Sequence, residues 1–409
     1  MFDLDGFINE YVTKRDGSMF RGDIEANADR LTAAIEGRSV LVIGGAGSIG
    51  SSFIRAILPF GPAELYVVDT NENALTELTR SIRSSDKLSA YVPDAYLPYP
   101  MDYSSVVFRR MFTHHKRANG TGGFDIVANF SAHKHVRSEK DIYSVEALLR
   151  NNVINAKGLL DLLSEYPPEA FFCVSTDKAA NPVNVMGASK RIMEDLIFSY
   201  SEAFPVKTAR FANVAFSNGS LPAGFLDRLS KHQPLSAPSD VKRYFVSPKE
   251  SGQICMLAAM LGGNRAIFFP KLEEEQMTTF DRIAVDLLSV MGYEVDLCGS
   301  DREAIEKSRK WHEGLPYPVH FSGSDTSGEK DFEEFYVEGE TIDMKSYAAL
   351  GEITDKPVPD REAVTGLIKR LEETFEKEDC AKDDIVGIIG DYLPNFEHIE
   401  TGKSLDGKM

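Results

Sequence analysis

The chain has 409 residues, a hydrophobic share of 43% and a formal net charge of −18. That length holds one large domain or two smaller ones with an ordinary globular core. The acidic balance excludes a surface built to neutralise nucleic acid.

The N-terminus, MFDLDGF, carries acidic residues and no apolar core, so it does not read as a signal peptide. Residues 1–38 read as a mostly helical arm ending at Gly37-Arg38. The run SVLVI (39–43) is rich in β-branched residues and suits a buried strand. It leads into Gly44-Gly45-Ala46-Gly47-Ser48-Ile49-Gly50 and then a helix, SSFIRAIL. Glycines at 44, 47 and 50 follow a G-x-x-G-x-x-G spacing. They let the backbone turn tightly and approach a pyrophosphate, which rests on the helix N-terminus. Glycine triplets are common in turns; the strand before this one and the helix after it give it meaning. A second strand, ELYVVD (64–69), ends in Asp69. An acidic side chain about twenty residues past the loop binds the ribose hydroxyls of NAD. Asp69 equally suits a cap on the helix begun by NENALTEL, and the two readings are compatible. No arginine follows Asp69 closely, which favours NAD over NADP.

Asp102 precedes an amphipathic helix, SSVVFRRMF, and is a candidate for an adenine contact or another cap. The strand FDIVANF (124–130) leads to Ser131, Ala132, His133, Lys134 and His135. His133 and His135, even with His114-His115, lack a carboxylate or cysteine at ligand spacing, so no metal site is expected. In the helix VEALLRNNVINAKGLLDLL the adjacent Asn151 and Asn152 are poor helix formers and point to a buried hydrogen-bonding role.

The stretch from Phe172 to Lys190, FCVSTDKAANPVNVMGASK, carries the most chemistry. An apolar strand breaks into Ser175-Thr176-Asp177-Lys178 at its carboxyl end, where open α/β sheets bind ligands. A helix then begins near Met186, and its period puts Met186 and Lys190 on one face. An isolated Asp-Lys pair before a proline is ordinarily a surface turn. VKTARFANVAF (206–216) reads as one further strand, with Asn213 near its end.

Strands and helices alternating from 39 to 216 predict an α/β fold, a doubly wound parallel sheet of Rossmann type. Residues 217–340 read as a smaller substrate-binding domain containing Arg243-Tyr244-Phe245, helices near 221–231 and 249–260, and a strand at 266–269. Residues 341–409 read as an acidic helical extension that packs on the outside or against another subunit. From Phe321 to Met409, 10 Lys and Arg face 23 Asp and Glu, the pattern of a solvated face. The four cysteines, Cys173, Cys255, Cys298 and Cys380, are scattered and suit reduced thiols. No run of about 18 apolar residues exists, so a cytoplasmic protein without a membrane span is expected.

With the glycine loop, the Thr-Asp-Lys triplet and the Gly-x-Ser-Lys pair in one chain, the sequence resembles the extended short-chain dehydrogenase/reductases. Within them it looks like the UDP-N-acetylglucosamine 4,6-dehydratases of polysaccharide biosynthesis. The similar segments are VLVIGGAGSIGSSF (40–53), AHKHV (132–136), NNV (151–153), VSTDKAANPVNVMGASKRIME (174–194), RFANV (210–214), RYF (243–245) and GEKDFEEF (328–335). Coverage is good from about 13 to 260 and patchy to 335. The chain departs from the pattern at Ile43, at Asn218 and at Thr326-Ser327, and residues 295–327 look like an insertion.

The resemblance implies an internal redox elimination at sugar carbons 4, 5 and 6, with NAD as cofactor and no net redox change. Most of the superfamily has a tyrosine four residues before the lysine; here Met186 stands there, as in a subset of these dehydratases. The resemblance therefore puts the proton chemistry on Asp177 and Lys178, with Thr176 near carbon 4 and Lys190 on the nicotinamide ribose. It implies cofactor contacts at Gly44, Gly47, Ser48, Ile49, Gly50, Asp69, Asp102 and Ser131. Substrate contacts fall on Lys134, His135, Asn213, Arg243 and Glu329. A homo-oligomer formed through Rossmann-domain helices is implied as well. A nucleotide-sugar epimerase, a 5,6-dehydratase and a non-catalytic nucleotide-sugar-binding protein are the alternatives.

Overall fold

The structure is a computed structural model that describes residues 2–134, 139–324 and 333–399. Among the described residues, nine strands make the central sheet. Its first six in chain order are β1 (Ser39–Ile43), β2 (Glu64–Asp69), β3 (Ala95–Pro100), β4 (Ile126–Asn129), β5 (Ala170–Val174) and β6 (Val206–Ala209). They lie in the spatial order β6-β5-β4-β1-β2-β3, all parallel. The order reverses between β1 and β4, the switch point at which ligands bind beyond the strands' carboxyl ends.

Both faces of this sheet are covered, as a parallel sheet requires. Side chains of a strand alternate between its faces. Leu41, Ile43, Phe171 and Cys173 accordingly enter one core, and Val40, Val42, Phe172 and Val174 enter the other. The doubly wound α/β fold expected from the alternating pattern is present.

Beyond β6 the structure departs from the sequence reading. The run 206–216 is not one strand: β6 stops at Ala209, and Asn213–Val214 leave the sheet to pair with Phe245–Val246. Ile267–Pro270 pairs in parallel with β6, and Leu350–Thr354 and Thr341–Asp343 add two antiparallel strands at the edge. Thr341–Asp343 and Leu350–Thr354, read as part of a helical extension, are thus strands of the main sheet. Two helices, Arg361–Phe375 and Lys382–Tyr392, follow them.

The helix Pro248–Leu261 also packs on the Rossmann core, against the helix Ser48–Ile57. A Cβ on Gly252 would lie 2.1 Å from the Ser52 carbonyl oxygen, so only glycine allows this approach. A separate, smaller core gathers Phe225, Leu235, Ile283, Leu287, Tyr317 and Val319 with Phe7, Ile8 and Val12 of the N-terminal arm. Its sheet has three parallel strands, Val295–Leu297, Tyr317–Ser322 and Leu235–Pro238. Two of them come from the stretch that looked like an insertion. The arm, helical as expected, is fixed by Arg15, which pairs with buried Glu250 at 2.8 Å. No described helix is long and apolar enough to cross a membrane.

Candidate active site

Gly44 takes φ +70°, and a Cβ there would lie 2.6 Å from Ser131 N on the neighbouring β4 loop. A Cβ on Gly50 would meet the Gly44 carbonyl at 2.3 Å, so the first and third glycines let the loop fold on itself beneath the helix. Gly47 caps the helix Ser48–Ile57 without any side-chain hydrogen bond. The first turn therefore offers backbone N–H groups, and the helix dipole, to an anion. Asp69 lies at the end of β2, with one oxygen accepting from Ala46 N at 3.0 Å and the other from Asn71 N at 2.9 Å. The helix cap is Asn71, not Asp69, which leaves Asp69 beside the loop as a ribose binder requires. Glycine cradle, uncapped helix and carboxylate together fit a dinucleotide.

At the end of β5, Thr176 Oγ1 donates to Asp177 Oδ1 at 2.6 Å, and Lys178 Nζ lies 3.2 Å from both Asp177 oxygens. Asp177 is buried, whereas the Lys178 side chain is 31% exposed. One 3-10 turn, Asp177–Ala179, makes this possible, and Gly187 accommodates it: a Cβ there would lie 2.7 Å from Lys178 O. The helix Val185–Phe198 starts at Asn184, whose side chain accepts from Gly187 N at 2.7 Å. Met186 and Lys190 follow on its inner face, both buried. Lys190 Nζ donates to Val174 O at 3.0 Å, and burial lowers its pKa. Burial pushes the neighbouring Cys173 thiol up to about 11, so this cysteine is a packing group.

Beneath the strand end, Ser175 Oγ donates to Glu194 at 2.6 Å, and the fully buried Arg210 grips both Glu194 oxygens at 2.9 and 2.6 Å. Arg210 also reaches Phe335 O at 3.0 Å, which ties the segment after residue 333 to the end of β5. Asn152 is buried and has the hydrogen-bonding role the pair suggested, while Asn151 is half-buried. They sit in a π-helical turn, Arg150–Ile154, and Asn152 holds both His133 N (2.8 Å) and His133 O (2.9 Å) while donating to Ser189. Ser131 Oγ donates to Asn151 at 3.2 Å.

One cleft of about 1090 Å³ joins these parts. Gly44, Gly47, Ser48, Ile49, Gly50, Lys134, Thr176, Asp177, Lys178, Met186, Lys190 and Asn213 all line it. Ser131 and Asp69 do not line it but contact the glycine loop, Ser131 N beside Gly44 and Asp69 through Ala46 N. Asp102 does not line the cleft: it is exposed and bonded to Ser104 at 2.8 Å, while Ser105 caps the following helix. Arg243 does not line it either; it is buried and lies 3.8 Å from Glu333. His135 and Glu329 fall outside the described residues.

Two carboxylates escaped the sequence reading. Glu333 accepts from Asn213 Nδ2 at 2.7 Å and from Tyr244 N at 3.3 Å. Burial, and then the Asp177 charge, push its pKa up to about 7 against the opposing pull of Arg243 and Lys178. Its signal was present in GEKDFEEF, where Glu329 drew the attention instead. Glu139 accepts the N–H of Met186 at 3.0 Å, and no local pattern announces it.

Residues 40–353 match the family described as polysaccharide biosynthesis protein. The probable polysaccharide biosynthesis protein EpsC of Bacillus subtilis is 27% identical over 306 residues, 74% of this chain and 49% of that protein. This chain therefore spans about half of that relative's length. The inverting UDP-N-acetylglucosamine 4,6-dehydratase of Campylobacter jejuni is 24% identical over 335 residues, 77% of this chain and 89% of that protein. Among solved structures, the dTDP-glucose 4,6-dehydratase DesIV of Streptomyces venezuelae, with NAD and TYD bound, superposes with a TM-score of 0.54 at 18% identity. That superposition covers 73% of this chain and 88% of DesIV, and it shows the shared fold. The chain belongs to the polysaccharide biosynthesis protein family and has the fold of the extended short-chain dehydrogenase/reductases.

Proposed function

We propose that this chain is an NAD-dependent nucleotide-sugar 4,6-dehydratase acting on UDP-N-acetylglucosamine. One observation carries the reading: the Asp177-Lys178 pair lines the same cleft as the glycine loop, beside Met186 and Lys190. NAD, when bound, supplies a hydride acceptor that returns the hydride within the same turnover.

The chain's own groups account for the protons. Thr176 hydrogen-bonds the sugar near carbon 4, and Asp177 takes the carbon 4 hydroxyl proton through water as hydride leaves that carbon. The carbonyl so formed acidifies carbon 5. The hydroxyl proton makes Asp177 a carboxylic acid, and Lys178, 3.2 Å away, acts as the neutral amine, the two forms elimination needs. The Lys178 amine removes the carbon 5 proton while Asp177 protonates the carbon 6 oxygen, which leaves as water. Lys178 returns its proton to carbon 5, and with the hydride that bound NAD would supply at carbon 6 the product would be the 4-keto-6-deoxy sugar. Met186 cannot exchange a proton and serves as packing. Lys190 holds the nicotinamide ribose, and Asn213 is the contact for the diphosphate. Arg243 supports Asn213 from behind, through Glu333. The same reading includes a homo-oligomer.

The test is turnover of UDP-N-acetylglucosamine followed by NMR of the 4-keto product. Asp177→Asn and Lys178→Met should each lower kcat by at least about a thousandfold, within the usual range for acid–base groups. NAD affinity should stay within about twofold. Full activity in either variant would sink the assignment.

A further inference from the structure

The family match ends at residue 353, yet Lys382, His398 and Ile399 line the cleft. The acidic extension therefore does not merely coat the outside, as its composition suggested. Glu139 holds it in place. One Glu139 oxygen accepts the Met186 N–H at 3.0 Å, the other pairs with His398 Nε2 at 3.3 Å, and the Glu139 carbonyl accepts from Lys382 Nζ at 2.8 Å. Further along, Ile399 N donates to Val183 O at 3.0 Å, just before the helix that carries Met186. Tyr392 Oη reaches Asp195 on that same helix at 3.4 Å. The extension is thus fastened on both sides of the helix that presents Met186 and Lys190.

This arrangement has a direction. Lys382 and His398 bring N–H donors to the wall next to Met186, and Ile399 brings a half-open apolar branch, 47% exposed. The glycine loop, which suits a pyrophosphate, opens a different helix, Ser48–Ile57. Donors beside an aliphatic group fit a sugar and its substituents better than they fit a phosphate.

We propose that Lys382, His398 and Ile399 form the sugar-facing wall of the substrate pocket. Selectivity for the sugar is then set by residues outside the family's shared region. The inference rests on the nucleotide-sugar reading above, and the Glu139 bonds give it its geometry.

The full-length protein, loaded with NAD, is titrated calorimetrically with UDP-N-acetylglucosamine and separately with UDP. His398→Ala and Ile399→Ala should each weaken UDP-N-acetylglucosamine by about tenfold, the scale of one lost polar or packing contact. UDP and NAD affinities should change by less than about twofold. Ile399→Trp, which adds bulk at a half-exposed position without emptying a core, should weaken the sugar ligand likewise. Unchanged sugar affinity in all three variants would overturn the wall, as would equal weakening of UDP and the sugar nucleotide. A wild-type chain that binds UDP-, GDP- and dTDP-sugars no better than buffer would overturn the nucleotide-sugar reading itself, and the wall with it.

Discussion

Met186 stands four residues before Lys190, and Asp177 and Lys178 line the same cleft as these two. Glu333 is a further ionisable group beside Asn213. Its pKa is about 7 in the folded protein against 4.5 for the free side chain, so the fold favours its protonated form. The stability it contributes is complete below about pH 4.5 and is lost as pH rises through about 7. Glu333→Gln removes this titration. Urea denaturation from pH 5 to 8 should show the variant gaining on the wild type by about 2.5 kcal/mol, the part of a roughly 2.5-unit shift, at about 1.4 kcal/mol per unit, that develops in this range. A constant difference across that range would contradict the burial of an ionisable Glu333. Thr176, Asp177, Lys178 and Lys190 were legible because they lie within fifteen consecutive positions. Glu333 and Glu139 were not, because their partners are distant: Asn213 is 120 residues from Glu333, and Met186 is 47 from Glu139.

Elements with a strong local grammar were read directly from the sequence. The strand SVLVI, the glycine loop and the next helix form one continuous unit whose turn only glycines allow. The run 206–216 failed because its apolar character continues past Ala209 while its partner changes from β5 to Phe245–Val246. The strands TID and LGEIT were missed because TID lies at the sheet edge and is partly exposed, and because LGEIT mixes glycine and a half-buried glutamate into a short run. The helix Pro248–Leu261 looked like part of a second domain, yet it rests on the cofactor-loop helix through Gly252. Gly252→Ala forces the two backbones apart. Its unfolding free energy should fall by about 1–3 kcal/mol, the usual cost of overpacking. The midpoint and slope of urea unfolding check this, and an unchanged midpoint would mean that the helices do not meet there.

At the scale of the molecule, a Rossmann sheet, a smaller three-stranded lobe and the C-terminal segment all contribute walls to one cleft. Val106 and Val107 on the helix after β3 are 77% and 52% exposed, and Tyr143 on the helix after β4 is 78% exposed. Exposed large apolar side chains on such helices suit a contact face, and the proposed homo-oligomer would place a second copy of the chain there. Val106→Glu with Val107→Glu should convert the assembly to monomers in light scattering, whereas an unchanged mass would exclude this face. The central claim is an elimination with internal hydride return, and one isotope experiment reads it directly. UDP-N-acetylglucosamine carrying deuterium at carbon 4 is incubated with the protein and NAD in ordinary water, and the product is followed by NMR. The account predicts a 4-keto product with the deuterium in its carbon 6 methyl group. Deuterium remaining at carbon 4 of an epimerised sugar, with carbon 6 still hydroxylated, would contradict it.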